Sequence, residues 1–222
     1  MKKISLLIIS IIFTCCNLQA QFNEIKPHFL TIAGGVSTCN LPETKAPGYV
    51  GRVEAAYFAN YMFGAGLNIS NSFFSANDTK FADAYSLKPQ FNYSYTSASI
   101  SQYYVGNYTA NVYFSAVPST KFSFMLSGGL GLQILSTPSG SILYKEKVNG
   151  VTSQSATIDI QSFSYKPVVF HFGARTNFMF NDFIGFNIFA DYHYAKNKAY
   201  NDEQYHEVSG GVGLTFMFAE TF

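Results

Sequence analysis

The sequence predicts an all-β chain that closes on itself, an antiparallel up-and-down transmembrane β-barrel of eight strands. Three observations carry this prediction. Beyond residue 28 there is no apolar run of helix-spanning length, whereas apolar residues alternate with small or polar ones at period two in segment after segment. Those segments number eight and their connections run alternately long and short, the asymmetry of barrels whose tight turns all lie on one side of a membrane. Charged residues make up only 12 % of the chain while Phe and Tyr supply 23 and 16 positions, a balance unusual for a domain surrounded by water.

The first twenty residues stand apart. Lys2 and Lys3 precede an apolar run from Ile4 to Cys16, and Leu18-Gln19-Ala20 offers a small residue for cleavage, so residues 1–20 read as an export signal that is removed. The run is too short for a hydrocarbon core of about 30 Å, which takes roughly 20 residues. Cys15 and Cys16 raise the alternative of lipid attachment, but Ile12-Phe13-Thr14 lacks the small residues such processing needs. Cleavage after Ala20 leaves Cys39 as the one cysteine, so no internal disulfide forms, and no Cys-His cluster suits a structural zinc ion. Residues 21–28 are expected to be a short periplasmic lead into the barrel domain, residues 29–222.

The first strand is expected at about Phe29–Thr38 and the second at about Gly48–Phe58, joined by a loop containing Pro42 and Pro47. Ala59-Asn60-Tyr61 turns tightly into the third, about Met62–Phe74. A long polar stretch over residues 75–99 leads to the fourth, about Ile100–Ser115. Val117-Pro118-Ser119-Thr120 turns into the fifth, about Lys121–Ser136. A second long stretch over residues 137–164 precedes the sixth, about Tyr165–Phe180, and Asn181-Asp182 turns into the seventh, about Phe183–Ala195. The loop Lys196–Gln204 leads to the eighth, about Tyr205–Phe218. An even count returns both termini to the periplasmic side and sends the long loops outward.

A barrel in lipid should be apolar on its outward rows and small or polar inside. In the fifth strand Phe122, Phe124, Leu126, Leu130, Leu132 and Ile134 share a face opposed by Ser123, Ser127, Gly129, Gly131 and Gln133. The sixth and eighth divide the same way, with His171, Arg175 and Asn177, and with Glu207, Ser209 and Thr215, on the inner rows. A soluble β-sandwich would also show alternation, but rows of this kind would leave it a polar core. Outward aromatics gather toward strand ends, Phe63, Phe122, Phe180 and Phe218 at one and Tyr49, Phe73, Tyr104 and Tyr194 at the other, as two interfacial girdles.

Gln19-Ala20-Gln21 at the cleavage point, the glycine-rich strands Gly64-Ala65-Gly66-Leu67 and Gly210-Gly211-Val212-Gly213, and the aromatic C-terminus ending in Phe222 together resemble the small outer-membrane β-barrel families, especially those of Bacteroidota. The resemblance covers the whole mature chain. It implies an integral outer-membrane location, and its terminal aromatic resembles the signal such barrels present to their insertion machinery. No catalytic motif travels with it.

Parity sends Arg52, Glu54, Asn68, Asn107, Asn111, Gln133, His171, Arg175, Asn177, Asn187, Asp191, His193 and Glu207 into the lumen, where eight strands leave space for packed side chains or one small ligand. Buried charges must pair, so Arg52, Glu54, His171, Arg175, Asp191, His193 and Glu207 are expected to satisfy one another as a polar network. A sharper reading counts back from the last loop: if His193 faces Glu207, then Asp191 faces Ser209, and an acid, a base and a hydroxyl share one inner face. Asp191, His193 and Ser209 are thus the catalytic candidates, for hydrolysis or acyl transfer.

No glycine cluster completes a dinucleotide-binding pattern ahead of a helix, and no histidine spacing suggests a metal, so neither cofactor nor metal is expected. The near-neutral charge gives no nucleic-acid footprint. The long loops are rich in Ser, Thr, Asn and Tyr and read either as hairpins extended beyond the membrane or as a recognition surface. The expected function is therefore a non-enzymatic barrel serving envelope structure or surface interaction. Its expected partners are outer-membrane lipid, lipopolysaccharide, the insertion machinery and a protein or glycan ligand at the loops. A membrane-embedded enzyme acting on lipid or ester, and a narrow channel or secretion accessory, are the alternatives.

Overall fold

A computed structural model describes residues 25–41, 43–60, 62–80, 93–118, 121–148, 151–196 and 204–221. The segment expected to be cleaved lies outside them. Twelve strands occur among the described residues: β1 (Ile25–Cys39), β2 (Thr44–Phe58), β3 (Phe63–Ala76), β4 (Tyr93–Ile100), β5 (Tyr103–Pro118), β6 (Phe122–Ser136), β7 (Gly140–Val148), β8 (Val151–Ile160), β9 (Ser164–Tyr165), β10 (Val168–Met179), β11 (Ile184–Lys196) and β12 (Gln204–Thr221).

Eight of these form the barrel wall. The ladder runs β1-β2-β3-β5-β6-β10-β11-β12, every pairing antiparallel, and β12 returns to β1 from Ile25↔Thr221 to Cys39↔Glu207. Closure removes the free edges that an open sheet would expose, which a hydrocarbon environment requires because it offers no water to satisfy backbone groups. The wall strands lie within a few residues of the expected ones. At the start the strand is longer than expected, because Ile25 to His28, read as part of the lead, are paired with β12.

Burial runs opposite to that of a water-surrounded domain. Leu67 is 61 % and Val112 68 % exposed on the outer rows, while Gln133, His171 and Asn177 are fully buried inside. With polar groups gathered in the interior and apolar side chains on the outside, the wall is complementary to a lipid environment and the barrel is transmembrane.

The long connections hold strands of their own. β4, β7 and β8 form a separate three-stranded sheet beyond the barrel end that carries the long loops. It forms because alternation continues there: Ile142, Tyr144 and Ile160 are buried, whereas Ser97, Ser99, Thr157 and Asp159 remain exposed. The short β9 lengthens β6 by pairing Leu135 with Tyr165.

Inside the wall, packing falls into three zones. At the short-turn end Phe29, Phe58, Tyr113, Met125 and Met217 form an apolar cluster. At the long-loop end a larger one joins Phe74, Tyr103, Leu135 and Tyr205 of the wall to Ile142 and Tyr144 of β7. The polar residues occupy the length between them.

Candidate functional site

Strand parity places the chemistry of the chain in this middle zone. Arg52 and Glu54 project inward from β2, His171 and Arg175 from β10, Asp191 and His193 from β11, and Glu207 and Ser209 from β12; none is more than 3 % exposed. Three carboxylates and two guanidinium groups thus share a space with two imidazoles, away from water. Charges so placed stay only if partnered, because the desolvation cost otherwise exceeds any gain.

The partners are found both along a strand and across the lumen. Glu54 is gripped by Arg52 Nη2 on one side and Arg175 Nη1 on the other. Arg52 Nη1 lies 3.3 Å from Asp191 Oδ2, and Arg52 Nε donates to Asn68 Oδ1 at 3.2 Å. Asp191 Oδ1 is 3.0 Å from His171 Nε2, and the other ring nitrogen of His171 is 3.0 Å from Asn111 Oδ1. Arg175 Nη2 donates to Ser127 Oγ at 3.0 Å. Both guanidinium groups also lie over rings, Arg52 4.8 Å from the centroid of Phe189 and Arg175 4.9 Å from that of Tyr113, where the electron-rich ring face offsets part of the lost hydration.

A second centre forms around Glu207. Ser37 Oγ donates to it at 2.7 Å, Asn107 Nδ2 at 3.0 Å and Tyr205 OH at 3.2 Å, and Ser72 Oγ donates to the same carboxylate. Gln133 Nε2 supports Asn107 Oδ1 at 2.9 Å. Below the charged groups Asn187 donates to Asn177 at 2.6 Å, and Asn177 to Ser123 Oγ at 3.1 Å. A carboxylate with four neutral donors needs no cation in contact, and the closest imidazole nitrogen, His193 Nδ1, is 3.9 Å away.

The catalytic candidates share a face but are not assembled for catalysis. His193 pairs in register with Glu207 and Asp191 with Ser209. Asp191 nevertheless turns to His171 on the neighbouring β10 and to Arg52 on the distant β2, and the His193 ring lies tilted, 5.0 Å from that of His171. Ser209 Oγ makes no hydrogen bond among the described residues, so the hydroxyl-to-base contact that would activate a nucleophile is missing. With Ser209 3 % exposed between two apolar clusters, an ester or lipid has no approach to it.

Parity alone did not single out Ser37, Ser72 and Tyr205, which hold Glu207, nor Ser127, which holds Arg175. Each lies on an inner row, but a serine or tyrosine there looks like filler until the carboxylate beside it is known. Among the described residues no group of three or more His, Cys, Asp or Glu side chains is placed to hold a metal ion.

No protein-family model and no curated protein matches the chain. Solved structures similar to it include Ail, the attachment invasion locus protein of Yersinia pestis, in complex with the heparin analogue sucrose octasulfate, at 16 % identity and a TM-score of 0.43 over 88 % of this chain and 98 % of that one. The N-terminal β-barrel domain of Pseudomonas aeruginosa OprF gives 12 % and 0.46 over 87 % and 97 %. Neisserial surface protein A gives 10 % and 0.46 over the same shares. The fold rests on the closed ladder of this chain itself, and these likenesses add nothing about what its lumen or outer sheet does.

The other candidate surface is the β4-β7-β8 sheet. Among the described side chains its exposed face carries Ser97, Ser99, Ser155, Thr157 and Asp159, while Ile142, Tyr144 and Ile160 point back into the apolar cluster over the barrel mouth. It is therefore packed against the barrel and presents hydroxyl groups to the surroundings.

Proposed function

We propose that the chain is a non-enzymatic outer-membrane barrel, of the kind found in Gram-negative bacteria of the Bacteroidota type, which anchors the β4-β7-β8 sheet at the cell surface for contact with a partner. One observation supports this above the rest. The groups capable of chemistry are enclosed between apolar clusters at both ends of the lumen, whereas the hydroxyl-rich face of the sheet is open. A lumen so filled offers no water path for ions, which speaks against a channel.

Outer-membrane lipid and lipopolysaccharide then surround the wall, and a protein or glycan ligand fits the sheet, whose Ser, Thr and Tyr side chains supply adaptable hydrogen bonds at low charge. The aromatic C-terminus would serve recognition by the insertion machinery. Replacing residues 140–160 by a short turn should leave membrane insertion and heat-dependent gel mobility intact while abolishing binding to envelope glycans or to whole cells. Unchanged binding would place the working surface elsewhere. Ser209→Ala should leave any lipid or ester hydrolysis by the purified barrel at background, as in the parent chain; hydrolysis that disappears with this substitution would revive the enzymatic reading.

A further inference from the structure

Between the two charged centres several buried polar atoms on one inner face of β11 and β12 stand without partners among the described residues. Ser209 Oγ, both ring nitrogens of His193 and Asp191 Oδ2 make no hydrogen bond among the described residues, although all three side chains are at least nine-tenths buried. Asp191 stands directly opposite Ser209, and His193 follows two residues on along the same inner face. Cβ atoms of opposed residues stand about 5 Å apart and those of diagonal neighbours about 7 Å. One oxygen atom hydrogen-bonded to each side spans such gaps.

The neighbours of Asp191 do not satisfy its Oδ2. Arg52 Nη1 approaches Asp191 Oδ2 to 3.3 Å without hydrogen-bond alignment. On the other side of the carboxylate Gly173 faces Asp191 from β10 so closely that a Cβ would come within 2.4 Å of Asp191 Oδ1, so the β10 residue opposite Asp191 sends no side chain past it. Buried polar atoms are rarely left bare, and interior waters typically make about three hydrogen bonds to such atoms.

We infer that this point of the lumen is a binding site for one ordered water molecule, held by Ser209, Asp191 and His193. The water accepts the Ser209 hydroxyl proton in a hydrogen bond and donates to Asp191 Oδ2 and to the unprotonated ring nitrogen of His193. It joins the Arg52-Glu54-Arg175-Asp191 centre to the Glu207 centre through His193, so that the two strands are tied across a gap that no direct side-chain bond closes. A larger guest does not fit a lumen whose other side chains are already packed together.

The test is a double-mutant cycle on the full barrel folded into phospholipid vesicles, with Ser209→Ala, His193→Phe and the pair, read as urea unfolding equilibria. Each single change should lower the folding constant about fivefold. The double variant should lose clearly less than the product of the two, because the same water is lost once. A hydroxyl that truly lacks a partner would give the opposite, a Ser209→Ala folding constant unchanged or raised, and that or strict additivity overturns the assignment. If either variant fails to insert, a crystal structure of the unaltered barrel decides: solvent density within about 3 Å of Ser209 Oγ supports the site, and a position without density, or a direct Ser209–His193 bond, removes it.

Discussion

Replacing Glu54 by Ala tests whether the lumen is held by its ion pairs. Glu54 is 2 % exposed and is the shared partner of Arg52 and Arg175, themselves 2 % and 3 % exposed. Without it Arg52 keeps Asp191 and Asn68, but Arg175 is left with Ser127 Oγ and the ring of Tyr113. Stranding a buried charge by removing its partner costs about 3–5 kcal/mol. At about 1.4 kcal/mol per factor of ten, the folding constant should fall by roughly two to three and a half orders of magnitude. The exposed pair Lys45–Asp78, 3.9 Å apart with side chains 56 % and 43 % exposed, is the internal control. Asp78→Ala should cost at most about 1 kcal/mol. The chain has no Trp, so unfolding in vesicles is best followed by tyrosine fluorescence together with the mobility of unboiled samples on gels. A Glu54→Ala barrel within 1 kcal/mol of the parent would refute the reasoning, because it would mean that the lumen screens charge as water does.

Gly173→Ala should destabilise by about 1–3 kcal/mol, since its Cβ would fall 2.4 Å from Asp191 Oδ1 and 2.6 Å from Ser127 Oγ, whereas Gly51→Ala on the lipid-facing row, with open space around it, should stay within about 0.5 kcal/mol. Equilibrium unfolding of both variants checks the contrast, and equal costs would count against the inward placement of Gly173. Leu67→Arg, at the middle of an outward row, should cost about 2–4 kcal/mol in a bilayer, while Ser97→Arg on the outer sheet should change stability by less than about 0.5 kcal/mol. The same vesicle assay reads both, and a cheap Leu67→Arg would mean that this row does not face lipid.

The wall was legible because period two does two jobs at once: it marks a strand and says which side faces lipid. Counting from the last loop, a pairing that sets His193 opposite Glu207 also sets Asp191 opposite Ser209, and β11 and β12 pair in that register. What Asp191 does with its carboxylate was not legible. Its partner Arg52 reaches it across the lumen from β2, far away in the sequence, while His171 comes diagonally from the neighbouring β10, and only barrel closure and shear decide which inner residues share a level. The sheet of β4, β7 and β8 was hidden for a different reason. Ser-rich and Tyr-rich stretches such as Tyr93–Ile100 carry a weak alternation that suits either a loop or an exposed strand, and the decision falls to the apolar side chains of β7 and β8 that cover the barrel mouth.

The claim on which all of this depends is that the first and last wall strands meet. Thr38 stands opposite Val208 across the β1–β12 seam, both on the outward row, and opposed residues in an antiparallel pair bring their Cα atoms to about 4.5–5.5 Å, within reach of a disulfide. Thr38→Cys with Val208→Cys, in a chain whose Cys39 is replaced by Ser, should crosslink on mild oxidation of the membrane-inserted protein and change its gel mobility without reductant. Free thiols in the inserted protein under the same oxidation would mean that the seam is open, and would contradict the barrel.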